Sequence, residues 1–371
     1  MYRLYFILIL TINFCSNSIF AQGSNDLNNR VEEIAKKYMD SLGIVGMSVS
    51  VIHNDDIKFK KSFGYANLEL DVPMTNSSVY RIWSVSKQFC AVSILKLETT
   101  DKLELSDPIS KYLDSIPGTW KDITIEQLLN HTGGIKDYLN DFKEGQKLHS
   151  TSFEIVKDST RVLKFSSGND WSYTNTGYWI LTKIMESVSG QKYQDYLQNE
   201  YFTPLNMKNT QKMDYFNIIK NRVNGYRNVK GVMKNSTRYL DENHLADGDA
   251  ELISNNEDLS IWTKALFSGE IIELDLLEKA WNYSKYNNGD KIDASSIIYY
   301  DEYASYGMGW FISELAGQKI IWTPGAGRGF STSIFSVPSS DLNIIVLCNA
   351  RRFLIADKIA KDIATEIVNR N

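Results

Sequence analysis

Strand-like sequence is concentrated at the two ends of this chain, and helix-like sequence fills the stretch between them. Gly46-Met47-Ser48-Val49-Ser50-Val51-Ile52 and Ile57 to Gly64 read as two strands. His53-Asn54-Asp55-Asp56 joins them as a hairpin turn. At the other end, Tyr306 to Ser313, Lys319 to Thr323, Phe330 to Val337 and Leu342 to Cys348 look like successive strands. Ile355, Ile359, Ile363 and Ile367 then recur at a spacing of four, the apolar face of a closing helix. Val31 to Met39 reads as an amphipathic helix. Between the ends, Asp107-Pro108 is a helix start. Thr124-Ile125-Glu126-Gln127 and Ser254-Asn255-Asn256-Glu257 read as capping boxes, and Gly269 stops the helix after the second.

This distribution predicts an α+β protein with separate α and β parts. One antiparallel sheet is built from both termini and flanked by helices, and a helical lobe is inserted between them. The sheet lobe is expected over about residues 30–83 and 300–371, and the helical lobe over about 84–299. No repeat, low-complexity tract or Pro/Gly/Ser linker divides residues 22–371. A cleft is expected at the seam, where ligand sites prefer to sit.

The first residues are expected to lie outside the fold. Arg3 is a basic start, Leu4 to Leu10 an apolar run, and Phe20-Ala21-Gln22 a cleavage point with a small residue before the cut. Residues 1–21 therefore read as a cleavable leader, and the mature chain as periplasmic or secreted. The apolar run is shorter than the ~20 residues a membrane span needs, so stable insertion is not expected. Lipid attachment at Cys15 is disfavoured by Asn13-Phe14 before it. Net charge is −5 with no basic patch, which argues against nucleic acid as a partner. Cys90 and Cys348 remain after cleavage and read as buried free thiols, although an oxidising compartment permits their pairing. The scattered His and Cys show no metal-ligand spacing, so no metal or other cofactor is expected.

Ser84-Val85-Ser86-Lys87 carries the chemistry. It follows Val79-Tyr80-Arg81-Ile82-Trp83, a short β-like run, and opens a strongly apolar helical stretch. The same spacing occurs at Ser93/Lys96 and Ser189/Lys192, but the first lies mid-helix and the second at a helix stop. At a strand-to-helix junction a serine has exposed backbone N–H groups beside its hydroxyl. A lysine three residues on shares its helical face. A hydroxyl needs a base to become a nucleophile, and Val85, Phe89, Cys90 and Val92 can desolvate Lys87 enough to make it one. On its own the tetrad would read as an N-cap and a solvated lysine.

The second element is Tyr173-Thr174-Asn175, within Phe165 to Tyr178. Tyr-x-Asn recurs at Tyr138, Tyr226 and Tyr286, so it is the whole segment that is distinctive. A phenol near lysine can relay the serine proton and then activate water. An Asn amide both donates and accepts, so Asn175 can hold Lys87 and a substrate amide.

With these in place, the chain resembles the serine β-lactamase and penicillin-binding-protein superfamily, in its class C-like branch, over roughly residues 30 to 370. The resemblance rests on Ser84 to Phe89, Leu128-Leu129-Asn130-His131-Thr132-Gly133-Gly134, Trp171 to Tyr178, Gly248 to Trp262, and Tyr306-Gly307-Met308-Gly309-Trp310. It implies a β-lactamase/transpeptidase-like fold with Ser84 as acylated nucleophile. Lys87 and Tyr173 would be its bases, and Asn175 would orient the substrate. The oxyanion hole would pair the N–H groups of Ser84 and Ala326.

The superfamily's third motif, Lys-Thr-Gly or His-x-Gly, falls at Thr323-Pro324-Gly325 and lacks its cation. His131-Thr132-Gly133 fits the letters but stands too early in the chain, and its expected role is to fix a loop. Thr323, Gly325, Arg328 and Asn349 are the substrate-binding candidates. Arg328, Arg351 or Arg352 could restore a positive charge. Specificity is expected from Tyr138 to His149 and from residues 210–245.

The resemblance thus implies a serine hydrolase acting through an acyl-enzyme on a small molecule or peptide. The bond would be the amide or ester of a D-alanyl peptide, D-amino-acid derivative, small ester or β-lactam. The alternative is a penicillin-binding or sensor-like protein that acylates and turns over poorly.

Overall fold

A computed structural model describes residues 26–141, 162–214, 216–237, 247–298 and 303–370. Helix α1 covers residues 26–42. It leads into β1 (Gly46–His53), β2 (Asp56–Asn67), β3 (Val72–Pro73) and β4 (Tyr80–Arg81). Helices α2 (Ser86–Glu98) and α3 (Asn175–Ser189) follow. Next come β5 (Gln211–Lys212), β6 (Tyr226–Val229), β7 (Val232–Asn235), β8 (Leu252–Ser254) and α4 (Asn256–Phe267). The chain closes with β9 (Ser305–Tyr306), β10 (Phe311–Leu315), β11 (Gln318–Gly327), β12 (Phe330–Val337), β13 (Leu342–Cys348) and α5 (Ile355–Val368).

The main sheet is antiparallel, in the order β3-β2-β1-β13-β12-β11-β10-β9. Its middle joins the two chain ends, with Val49 opposite Val346. Both faces are covered, so alternate residues point into two cores. Met47, Val49 and Val51 of β1, and Ile344 and Val346 of β13, pack with residues of α1 and α5 such as Ala35 and Ile359. Ile345 and Leu347 face the helical lobe with α2 and α3. On that face β1 presents Ser48 and Ser50, which bond to Tyr80 (2.9 Å) and Asn256 (2.8 Å). The α+β class and the sheet shared by both termini are as expected. So is the closing helix, where Ile355, Ile359, Ile363 and Ile367 are all buried.

Several local details differ. The run expected to be one strand over Tyr306 to Ser313 breaks at Gly307–Gly309, with φ +104° at Gly309. A Cβ at Gly309 would lie 2.9 Å from Ala91 of α2, so the close approach to that helix forces the bend. α4 is capped by Asn255, which accepts from Asp258 N–H (2.8 Å), while Ser254 stays in β8 with its hydroxyl on Thr210. Pro108 precedes only a short 3-10 turn, Ile109–Lys111. β4 pairs with β8 in a separate small sheet and does not enter the large one.

The predicted leader, residues 1–21, lies outside the described residues, as do parts of both expected specificity stretches. Among the described residues no helix is long and apolar enough to cross a membrane. Cys90 and Cys348 are both buried and free.

Candidate active site

Ser84 sits in a 3-10 turn, Trp83–Val85, between β4 and α2. Trp83 has φ +51°, a left-handed conformation that is costly for a bulky residue. Its indole has the Arg81 guanidinium carbon 4.0 Å from the ring centre. α2 is buried almost all round: Phe89 stacks on Trp262 at 4.1 Å, and Lys87 is fully buried within the same helix. A helix apolar on every side belongs in a core. The serine is therefore at the rim of a helix whose interior holds its lysine.

Lys87 Nζ has three polar neighbours. It donates to Asn175 Oδ1 and to the Asp249 carbonyl, each at 2.7 Å, and lies 3.3 Å from Ser84 Oγ. The rings of Tyr173 and Tyr178 flank it at 5.0 and 5.3 Å. Asn175 begins α3 after the N-cap Thr174, whose hydroxyl accepts from Thr176 N–H. Asp137 Oδ2 accepts from both the Asn175 backbone N–H (3.0 Å) and its Nδ2 (2.9 Å). Asp249 is buried, and Tyr138 Oη donates to its Oδ2. Burial pushes the Asp249 carboxyl up to about 7, against the lowering influence of Lys87 and Tyr138. Gly248 has φ +86°, and a Cβ there would lie 2.3 Å from Thr182 Cγ2. Glycine therefore allows Asp249 to come up beside α3.

Tyr173 stacks on Phe311, with 13° between the rings, and its centroid is 4.4 Å from that of His131. His131 Nδ1 accepts from Thr174 N–H (3.4 Å), which leaves its Nε2 to donate to Tyr306 Oη (3.2 Å). Burial, aided by the Lys87 charge, pushes the imidazole well below its ordinary range and keeps it neutral. Its carbonyl accepts from Ser172 N–H (3.1 Å). His131 therefore fixes the Tyr173 loop, as its early place in the chain suggests.

The opposite wall is β11. β10 accompanies it only as far as Trp322, and Thr323 to Gly327 run on beside the Ser84 turn. A Cβ at Gly325 would lie 2.1 Å from Ile82 O, so only glycine permits this approach. The β11–β12 hairpin closes through the two-residue turn Arg328-Gly329, making Gly327 and Phe330 a bonded pair. Bonded and non-bonded pairs then alternate. Ala326, opposite Ser331, directs its N–H away from β12, toward the open edge beside Ser84. Pro324 takes the other open-edge position, where a missing N–H costs nothing.

Two substrate-binding candidates do not line this cleft. Thr323 is 2% exposed. Its hydroxyl accepts from Gln88 Nε2 (3.1 Å) and donates to Gly309 O (3.2 Å), while Gln88 Oε1 accepts from Trp262 Nε1. Asn349 is buried, and its Nδ2 donates to the carbonyls of Tyr65 (2.9 Å) and Asn224 (3.1 Å). It ties β2 to the loop before β6 and has no amide hydrogen to offer a substrate. Arg328 is half-buried at the hairpin turn, and Arg351 and Arg352 are exposed beyond β13. The structure thus brings Ser84, Lys87, Tyr173, Asn175, Gly325 and Ala326 together, and turns Thr323 and Asn349 inward.

Asp137 and Asp249 were not singled out from the sequence as parts of the site, and Tyr138 was named only as the start of an expected specificity stretch. The available signals were an acid four residues after Gly133 and another directly after Gly248.

The sequence profile described as Beta-lactamase matches residues 31–365. Penicillin-binding protein 4* of Bacillus subtilis (strain 168) is 27% identical over 321 residues, 81% of this chain and 67% of that protein. Protein flp of Staphylococcus aureus (strain N315) is 26% identical over 357 residues, 93% of this chain and 68% of that protein. Among solved structures, D-amino acid amidase from Ochrobactrum anthropi SV3, complexed with D-phenylalanine, has a TM-score of 0.79 at 22% identity. It covers 93% of this chain and 100% of that one. The octameric penicillin-binding protein homologue from Pyrococcus abyssi has a TM-score of 0.78 at 24% identity, covering 92% and 78%. With the profile spanning nearly the whole chain over a matching fold, the chain belongs to the Beta-lactamase family, in the superfamily of serine β-lactamases and penicillin-binding proteins.

Proposed function

We propose that this serine hydrolase forms an acyl-enzyme on Ser84. It would cleave an amide or ester bond in a D-alanyl peptide, a D-amino-acid derivative or a small ester. The observation that carries this is the fully buried Lys87, held by Asn175 and Asp249 with its Nζ 3.3 Å from Ser84 Oγ. Lys87, as the neutral amine, takes the serine proton to become an ammonium as Oγ attacks the carbonyl carbon. The N–H groups of Ser84 and Ala326 receive the developing oxyanion. Tyr173, stacked beside Lys87, relays protons and activates the water that releases the acyl group.

The names of the relatives, a penicillin-binding protein and a D-amino acid amidase, are consistent with that range of substrates. β-Lactams rank behind esters and amides, because neither Lys nor His stands at position 323 to bind a carboxylate. Residues 1–21 act as a leader that sends the chain to the periplasm or the medium. Sequencing of the mature N-terminus checks this.

The deciding experiment is a hydrolysis screen over p-nitrophenyl esters, D-amino-acid amides and nitrocefin, run beside Ser84→Ala. Turnover that survives Ser84→Ala would falsify the proposal. Thr323 favours a second reading, a penicillin-binding or sensor-like protein that acylates and turns over poorly. Intact mass after incubation with a β-lactam separates the two. A lasting adduct on Ser84 marks binding, and a quick return to the unmodified mass marks catalysis.

A further inference from the structure

We infer that Asp137 and Tyr138 are positioning residues that together aim the lone pair of Lys87 at Ser84, an inference that rests on the acyl-enzyme proposal above. A lysine acting as a base is a neutral amine with two N–H hydrogens and one lone pair. Lys87 Nζ has two strict acceptors at 2.7 Å, Asn175 Oδ1 and the Asp249 carbonyl, and one further neighbour, Ser84 Oγ. If the two acceptors take the two hydrogens, the lone pair is left facing Ser84. The serine O–H bond then breaks, the proton forms the third N–H bond, and Oγ bonds to the substrate carbon. In the charged form the same three neighbours take three hydrogens, so proton transfer requires no rearrangement of the site.

This arrangement works only while both acceptors keep their places. The Asn175 amide is the weak point, because its two ends are nearly the same shape. Turned over, its NH2 would donate into the lone pair and silence the base. Asp137 prevents that. Its Oδ2 accepts from Asn175 Nδ2 and from the Asn175 backbone N–H, and its Oδ1 accepts from Leu139 N–H (2.9 Å). A turned amide would set oxygen against carboxylate. The next residue secures the second acceptor: Tyr138 Oη donates to Asp249 Oδ2, anchoring the residue whose carbonyl holds Lys87. Tyr138 and Asp249 are both buried, so water does not compete for that bond. The dipeptide is itself pinned. Tyr138 N–H donates to Thr176 Oγ1 (2.8 Å), and that hydroxyl donates to Lys136 O (2.9 Å).

The test follows the rate at which a fluorophosphonate probe labels Ser84 in the full chain, with KM and kcat for a neutral p-nitrophenyl ester alongside. Asp137→Ala is expected to slow labelling about tenfold or more and to lower kcat with little change in KM. Because Asp137 works through Asn175, adding Asp137→Ala to Asn175→Ala is expected to change the rate by less than about twofold. Tyr138→Phe keeps the buried ring and is expected to slow labelling severalfold. It also serves as the informative variant if Asp137→Ala loses its fold by circular dichroism. Labelling of Tyr138→Phe or of folded Asp137→Ala within twofold of the unaltered protein overturns the inference. So do losses from Asp137→Ala and Asn175→Ala that simply multiply. If the unaltered protein is not labelled at Ser84 at all, the acyl-enzyme proposal fails and the positioning role falls with it.

Discussion

The indole of Trp83 occupies the space where a side chain at Gly327 would begin: an added Cβ would lie 2.1 Å from Trp83 Cε2. The ring is thus wedged between the β11 backbone and the Arg81 guanidinium. Trp83 precedes Ser84 and Gly327 follows Ala326, so this contact lies between the two proposed oxyanion donors. Gly327→Ala is expected to lower kcat at least about tenfold, toward the range seen when one oxyanion donor is removed. Stopped-flow acylation with a p-nitrophenyl ester measures it, and an unchanged acylation rate would show that the wedge does not govern the hole.

Lys87→Met keeps an unbranched buried side chain and deletes the amine. Activity is expected to fall by about 10²–10⁴. Asn175 Oδ1 and the Asp249 carbonyl also lose their donor, and a buried acceptor left unmade costs about 1–3 kcal/mol. Lower Tm and lost activity should therefore appear together. A variant with full turnover would remove Lys87 from the mechanism.

Thr323→Val tests the inward placement of that hydroxyl. Gln88 Nε2 and Gly309 O each lose a partner, so stability is expected to drop by about 1–3 kcal/mol in urea unfolding. KM for esters should stay within about twofold, since the methyl groups fill the same space. A large rise in KM with unaltered stability would return Thr323 to the substrate pocket.

Asp357 offers a pH prediction away from the site. It is buried at the start of α5, and burial pushes its carboxyl up to about 8 against the lowering influence of the Ser333 hydroxyl. The unfolded carboxyl ionises near its ordinary 3.8, so between about 4 and 8 only the folded chain keeps the proton. Its contribution is complete below the unfolded value and is lost as pH rises toward 8. Asp357→Asn cannot ionise and is expected to stabilise the protein at pH 8–9 relative to pH 5, measured as the difference in Tm between the two proteins. Glu251, also pushed up to about 8, acts in the same direction. His131 opposes them, because burial keeps its imidazole neutral when unfolded histidine would charge, which weakens the fold below about 6.5. A Tm difference that does not vary with pH would show that Asp357 is ionised in the fold.

How much of this was legible in the sequence depended on the range of each interaction. Ser84 and Lys87 were legible because their chemistry is local, one helical turn apart. The sheet was legible because alternation is a local pattern too. The aromatic run before Ser84 looked like a strand throughout, yet Trp83 turns left-handed. Its indole fits only because Gly327, far along the chain, has no side chain. Asn349 was a substrate-binding candidate, but Tyr65 and Asn224, both distant in sequence, take its amide. Asp137 meets Asn175, and Asp249 meets Lys87 and Tyr138, only once the chain has folded, and no spacing rule reveals such contacts.

The pairing of β1 with β13 has a consequence for how the protein comes into being. Val49 and Val346 lie about 300 residues apart, so the first hairpin has no partner on its inner edge until almost the whole chain exists. Contacts this distant in sequence make for slow folding, and an open strand edge is a template for pairing with other chains. A chain cut short before residue 342 would carry Ser84, Lys87 and Tyr173 intact and still leave β1 unpaired along that edge. Its fate would be decided by aggregation before chemistry.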